Sequence, residues 1–141
     1  MPTATRSLSK ADFDTLSEFR YQMRRFERFS ERAALNAGIT PQQYLVLLHI
    51  KGFRGRSWAL VGELAERLQL QPHGAVALVT RCETLELVQR RAHAGDRRQV
   101  EVHLQPAGEK MLQTLAVMHR AELQALQGRF SVPNVNFPDP S

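Results

Sequence analysis

The chain has 141 residues, 43% of them hydrophobic and 23% charged, which suits a single domain with a buried core. No apolar run approaches the ~20 residues that span a bilayer, and "MPTATRSLSKADFD" lacks the hydrophobic stretch of a signal peptide. A lone Cys82 excludes an internal disulfide framework and fits a reducing cytoplasm, while a net charge of +5, carried mostly by arginine, favours an anionic partner such as nucleic acid.

Residues 10–37 read as one long helix. Phe13, Leu16, Phe19, Met23, Phe26 and Phe29 recur every three to four positions, with Arg20, Arg24, Arg28 and Arg32 as a basic stripe beside them. Ala37-Gly38 is a stop signal, because glycine takes the left-handed cap without strain. In "TPQQYLVLLHIKG", Thr40 caps a second helix, Pro41 suits its first position and Gln43 completes a capping box. Its apolar residues fill most of the circumference, so burial on more than one side is expected. Gly52 ends it, "FRGRS" is a basic loop, and "SWAL" at 57–60 is short enough for an edge strand.

"VGELAERL" is a short helix with Val61, Leu64, Ala65 and Leu68 inward. After the turn "QLQP", Pro72 starts another helix whose inner face is Ala75, Leu78, Val79, Cys82 and Leu85. Two short helices joined by a tight turn make a helix-turn-helix. Its second helix offers Gln71 in the turn, then His73, Gly74, Ala77, Thr80 and Arg81 on the outer face. Next, "LVQRRAH" and the alternating "QVEVHL" flank Ala94-Gly95-Asp96 and predict a β-hairpin. Arg90, Arg91, Arg97 and Arg98 crowd it, with Asp96 as the only acid at its tip. Such a thin, guanidinium-bearing tip fits the narrow minor groove of DNA, where negative potential is concentrated, and Arg90 and Arg91 are expected to reach flanking phosphates. From Pro106 a last helix is predicted to about Gly128, with Met111, Leu112, Leu115, Met118 and Leu126 on its apolar stripe. The proline-rich residues 129–141 should be irregular.

The five histidines, His49, His73, His93, His103 and His119, fall on separate elements without metal-ligand spacing. There is no Gly-rich phosphate loop, nucleophile elbow or paired-carboxylate pattern. The expectation is a protein that is not an enzyme and has no cofactor and no metal. Cys82 sits on the apolar helix face and should be a buried, inert thiol.

The order helix, helix, edge strand, helix-turn-helix, hairpin, long helix is a mainly α fold with a small β wing. On "GITPQQYLVLLHI", "VGELAERLQLQP" and above all "GDRRQVEVHLQPAGEKML", the chain resembles the MarR family of winged helix-turn-helix transcriptional regulators over about residues 10–128. The resemblance implies an arm at 1–9, a winged core at about 40–105, and dimerisation helices at about 10–37 and 106–128. It implies a cytoplasmic homodimeric repressor whose reading helix enters the major groove of a pseudo-palindromic operator and whose wing enters the minor groove. Arg98 matches the family's wing arginine and Asp96 the acid that orders the wing tip. A small aromatic or anionic effector is implied, with Arg24, Arg25 and Arg28 the candidates to receive it.

Three departures stand out. Leu60 and Gln105 replace the usual Ser or Thr helix caps. Gly74 and Ala77 replace longer polar side chains of the reading helix, so discrimination should lean on the wing and on DNA shape. Many members carry one more helix beyond this chain's last residue. The alternatives are a winged-helix protein-interaction module without specific DNA binding, and an oxidant- or metal-sensing form of the same regulator.

Overall fold

The computed structural model describes residues 7–136. The first helix, α1 (Lys10–Asn36), opens on a reciprocal cap: Ser9 N–H donates to Asp12 Oδ2 at 2.9 Å and Asp12 N–H to Ser9 Oγ at 3.3 Å. Gly38 closes it at a φ of +93°. The second, α2 (Pro41–Gly52), carries the predicted box, with Gln43 N–H on Thr40 Oγ1 at 3.1 Å and Thr40 N–H on Gln43 Oε1 at 2.8 Å. It buries Tyr44, Val46, Leu47 and Ile50, while Leu48 faces solvent.

A short strand β1 (Trp58–Leu60) leads into α3 (Val61–Leu68) and α4 (Pro72–Thr84). The turn between the helices passes through Gln69, left-handed at φ 54°, and Leu70 N–H closes onto Ala65 O at 2.9 Å. The missing caps are partly replaced. Leu60 N–H donates to Glu63 Oε1 at 2.8 Å, and Gln105 Nε2 turns away to Val88 O at 3.3 Å. Strands β2 (Val88–His93) and β3 (Asp96–Leu104) form the hairpin, and the sheet is antiparallel in the order β1-β3-β2. Ala59 pairs with Val102, and both lie in the core with Leu47, Ile50, Leu64, Val79, Cys82 and Val88.

The last helix, α5 (Pro106–Ala125), stops short of the predicted Gly128, which bends the following turn at φ +84°. Its first turn lies so close to the α4–β2 link that a Cβ on Gly108 would sit 2.1 Å from Leu87 O. Two residues expected inward are not: Leu85, at the end of α4, is 49% exposed and Met118 on α5 is 40% exposed. Beyond α5 the described chain has no helix or strand. It folds back on α1, where Phe130 stacks on Phe19 at 5.6 Å and Asn136 donates to Asp12. Among the described residues no helix is long and apolar enough to cross a membrane.

Candidate nucleic-acid interface

Helix α4, the second of the helix-turn-helix, divides as its period dictates. Ala75, Leu78, Val79 and Cys82 are buried; His73, Ala77, Thr80 and Arg81 are exposed, Gly74 is half-buried, and exposed Gln71 is the N-cap residue. Gln71 makes no side-chain cap bond, so its amide stays available on the surface. Burial pushes the Cys82 thiol up to about 11, against a small opposing pull from Arg81. Such a thiol is protonated and inert at neutral pH.

The hairpin tip is ordered from within. Asp96 Oδ1 accepts from Arg98 N–H at 2.9 Å and from Arg98 Nε at 3.3 Å. The Arg98 side chain is nevertheless 92% exposed, and Arg97 beside it is exposed too. Arg91 lies along the strand with its guanidinium on Gln89 Oε1 at 3.3–3.4 Å.

Arg90 departs from expectation. Its guanidinium turns inward, donating to Glu83 Oε1 at 3.1 Å, Val76 O at 3.0 Å and Thr80 Oγ1 at 2.6 Å. Its backbone N–H donates to the other oxygen of Glu83 at 3.0 Å. Thr80, expected to face a partner, is likewise engaged: its hydroxyl donates to Val76 O at 3.0 Å while accepting from Arg90. Glu83, in the last turn of α4, is the acid that holds the wing's base. Its position in the last turn of a helix followed closely by a basic strand was the available signal.

Between these elements runs a groove of about 560 Å³, with Val61 and Gly62 of α3 and Val76 of α4 on one side and Arg98, Gln99 and Val100 of the wing on the other. Reading helix and wing tip therefore share one surface. On the outer face of the sheet, alternation places Glu101 and His103 together. Glu101 accepts from His93 Nδ1 at 2.7 Å and His103 Nε2 at 2.8 Å, and both hydrogen bonds hold its carboxyl below the usual range. Trp58 packs over both imidazoles, and Arg56 stacks on Trp58 while pairing with Glu63. Burial tends to raise the Glu63 carboxyl, but Arg56 and the Leu60 N–H outweigh it and lower it.

The three effector candidates do come together. Arg24, Arg25 and Arg28 line a cleft of about 720 Å³ with Phe29, Glu31, Arg32 and Glu122. Arg28 also pairs with Glu31 at 3.7 Å. Sequence reasoning did not find the neighbouring aromatic box. There His119 is buried, stacked on Tyr44 at 4.6 Å with Phe26 and Phe29 edge-on. Its Nδ1 donates to Leu115 O at 2.7 Å, leaving Nε2 to accept from Ser30 at 2.8 Å. Burial in this box pushes the Tyr44 phenol up. Among the described residues no group of three His, Cys, Asp or Glu is placed to hold a metal ion.

An edge strand, two short helices and an arginine-tipped hairpin around one groove form a winged helix-turn-helix. Residues 37–99 match the model of the MarR family. The match spans α2 to the start of β3, and the MarR resemblance read from the sequence holds there. The MarR winged-helix fold extends over most of the chain. AbsC, a MarR family transcriptional regulator from Streptomyces coelicolor, superposes with a TM-score of 0.74 at 21% identity, covering 86% of this chain and 81% of that one. A MarR family protein from Bacillus stearothermophilus gives 0.71 at 23% identity over 89% and 86%. A variant of MepR from Staphylococcus aureus, bound to an oligodeoxyribonucleotide, gives 0.64 at 19% identity over 85% of each chain. No curated protein sequence matches this chain.

Proposed function

We propose that this protein is a homodimeric DNA-binding transcriptional regulator of the MarR type, acting as a repressor on a pseudo-palindromic operator. The observation that carries the reading is the groove shared by Val76 of the reading helix and the almost fully exposed Arg98 of the wing. A reading helix in the major groove then leaves the wing beside the adjacent minor groove. The structural likeness to MepR, itself seen with an oligodeoxyribonucleotide, supports the same partner. Gln71, His73 and Arg81 supply the polar reach of the helix, since the Thr80 hydroxyl is taken up by Val76 and Arg90. Gly74 and Ala77 let its backbone come close, and Arg91, Arg97 and Arg98 supply the wing's charge, with Asp96 ordering it. The second copy covers the exposed apolar surface of α1 and α5. A small aromatic anion in the cleft of Arg24, Arg25 and Arg28, beside Phe29, releases the operator by favouring one dimer geometry.

The test is a fluorescence-anisotropy titration of operator against random duplex across salt concentrations. Arg98→Ala should weaken operator binding by about 1–3 kcal/mol with an unchanged circular dichroism spectrum, and Arg97→Ala by less. Equal affinity for operator and random duplex in the unmodified protein would support a protein-interaction module instead.

A further inference from the structure

We infer that Arg90 and Glu83 form a strut that sets the angle of the wing to the reading helix, and that Arg90 is a positioning residue for DNA binding and not a phosphate contact. The inference rests on the DNA-binding reading above and adds a residue pair to it. Three acceptors on α4 hold the Arg90 guanidinium, and they run from Val76 to Glu83 along the reading helix. A planar fork held at several points fixes direction as well as distance, which a single ammonium contact does not. Glu83 also takes the Arg90 backbone N–H, so strand and side chain are pinned together.

The place of the strut gives it leverage. Arg90 pairs across the hairpin with Val102, which is fully buried, whereas Arg91 and Ala92 beyond it are exposed. The strand register then shifts between Ala92 and His93. Arg90 is thus the rung at which the hairpin leaves the core. From there to Gly95 the arm is about 16 Å long at ~3.3 Å per residue. A rotation of about 10° at its base moves the tip about 3 Å, half the ~6 Å width of the minor groove. Without the strut, Arg98 and the reading helix no longer meet their two grooves in register.

Glu83→Ala separates this from a direct contact by sign, and Arg90→Lys tests the fork. Glu83→Ala removes a negative charge beside the DNA and frees Arg90, so a phosphate-contacting Arg90 predicts tighter operator binding. The strut predicts weaker operator binding, by roughly tenfold, or about 1.4 kcal/mol, with random-duplex affinity unchanged or raised. Arg90→Lys keeps the charge, loses the fork, and should lower operator affinity similarly. Arg98→Ala should then cost less in either background than in the unmodified protein, because the misaligned tip has less to lose.

A DNA-free measurement stands beside these. Spin labels at Ala77→Cys and Ala94→Cys, both exposed sites, report the distance from reading helix to wing tip, since native Cys82 is buried. The distribution should be narrow in the parent and broad after Glu83→Ala or Arg90→Lys. An unchanged distribution, additive losses or tighter operator binding by Glu83→Ala overturns the strut. A broadened distribution in a protein that never prefers operator over random duplex overturns the DNA reading and leaves the strut standing.

Discussion

Two neighbouring helices use their apolar residues in opposite ways. Helix α2 has 12 residues and buries five, Gln43, Tyr44, Val46, Leu47 and Ile50, because α3, α4, α5 and the sheet surround it. Helix α1 has 27 residues and buries three, and two of those are alanines. Its Phe13 is 56% exposed, Tyr21 54% and Leu35 61%, and on α5 Val117 and Leu123 are exposed as well. The difference teaches that the winged unit is stabilised within one chain, whereas the long helices carry apolar surface that this chain leaves to water. Under the proposed function this is the surface that the second copy covers. Stability and assembly should therefore respond to different substitutions.

The largest effect is expected on the core side. Gly108→Ala forces a Cβ to within 2.1 Å of a backbone carbonyl that cannot swing away. It should cost at least about 3 kcal/mol, the upper part of the overpacking range, seen as a collapsed midpoint in urea. Next, if the proposed dimer forms through α1, Phe13→Glu with Leu16→Glu should weaken it by about 3 kcal/mol or more, since each substitution puts a charge where burying an apolar side chain is worth ~1.5–3 kcal/mol. Light scattering should then report the 16.0 kDa chain with its helical content retained. A dimer mass in that variant would erase the distinction between the two regions.

Alkaline pH sharpens the comparison from the core side. The Cys82 thiol is raised from 9.0 to about 11 in the fold, so the unfolded chain ionises first. The stabilisation is whole below pH 9 and is lost as pH rises towards 11, a change of about 2–3 kcal/mol that Cys82→Ala should abolish. The thiol should also resist thiol reagents at pH 8 until denaturant is added. The smallest effect is at Glu86, held at φ 61° after α4. Glu86→Gly relieves that conformation and should raise stability by about 0.5–1 kcal/mol in thermal melts, with no change in assembly.

What was legible in the sequence was local. Thr40, Pro41 and Gln43 marked the start of α2, Gly38 the end of α1, and the alternation of residues 99–104 marked β3, because caps and periods are written within a few residues. The arginine tip of the wing was legible for the same reason. The inward turn of Arg90 was not, since it depends on how far α4 lies from β2 after the chain has turned. The aromatic box was also hidden. His119 meets Ser30 across 89 positions, and nothing in the period of α5 distinguishes it from the exposed Met118 beside it. Leu85 misled because an apolar residue one step past a helix end loses the face its spacing promised.

The fold-back of residues 129–136 onto α1 has a consequence for synthesis. Asn136 meets Asp12 across 124 positions, and Phe130 covers Phe19. At about 5–20 residues per second, the ribosome leaves the first half of α1 without this cover for roughly 6–25 s after that half is made. During that interval the Phe-rich stripe is open to chaperones, and to a second nascent chain on the same message.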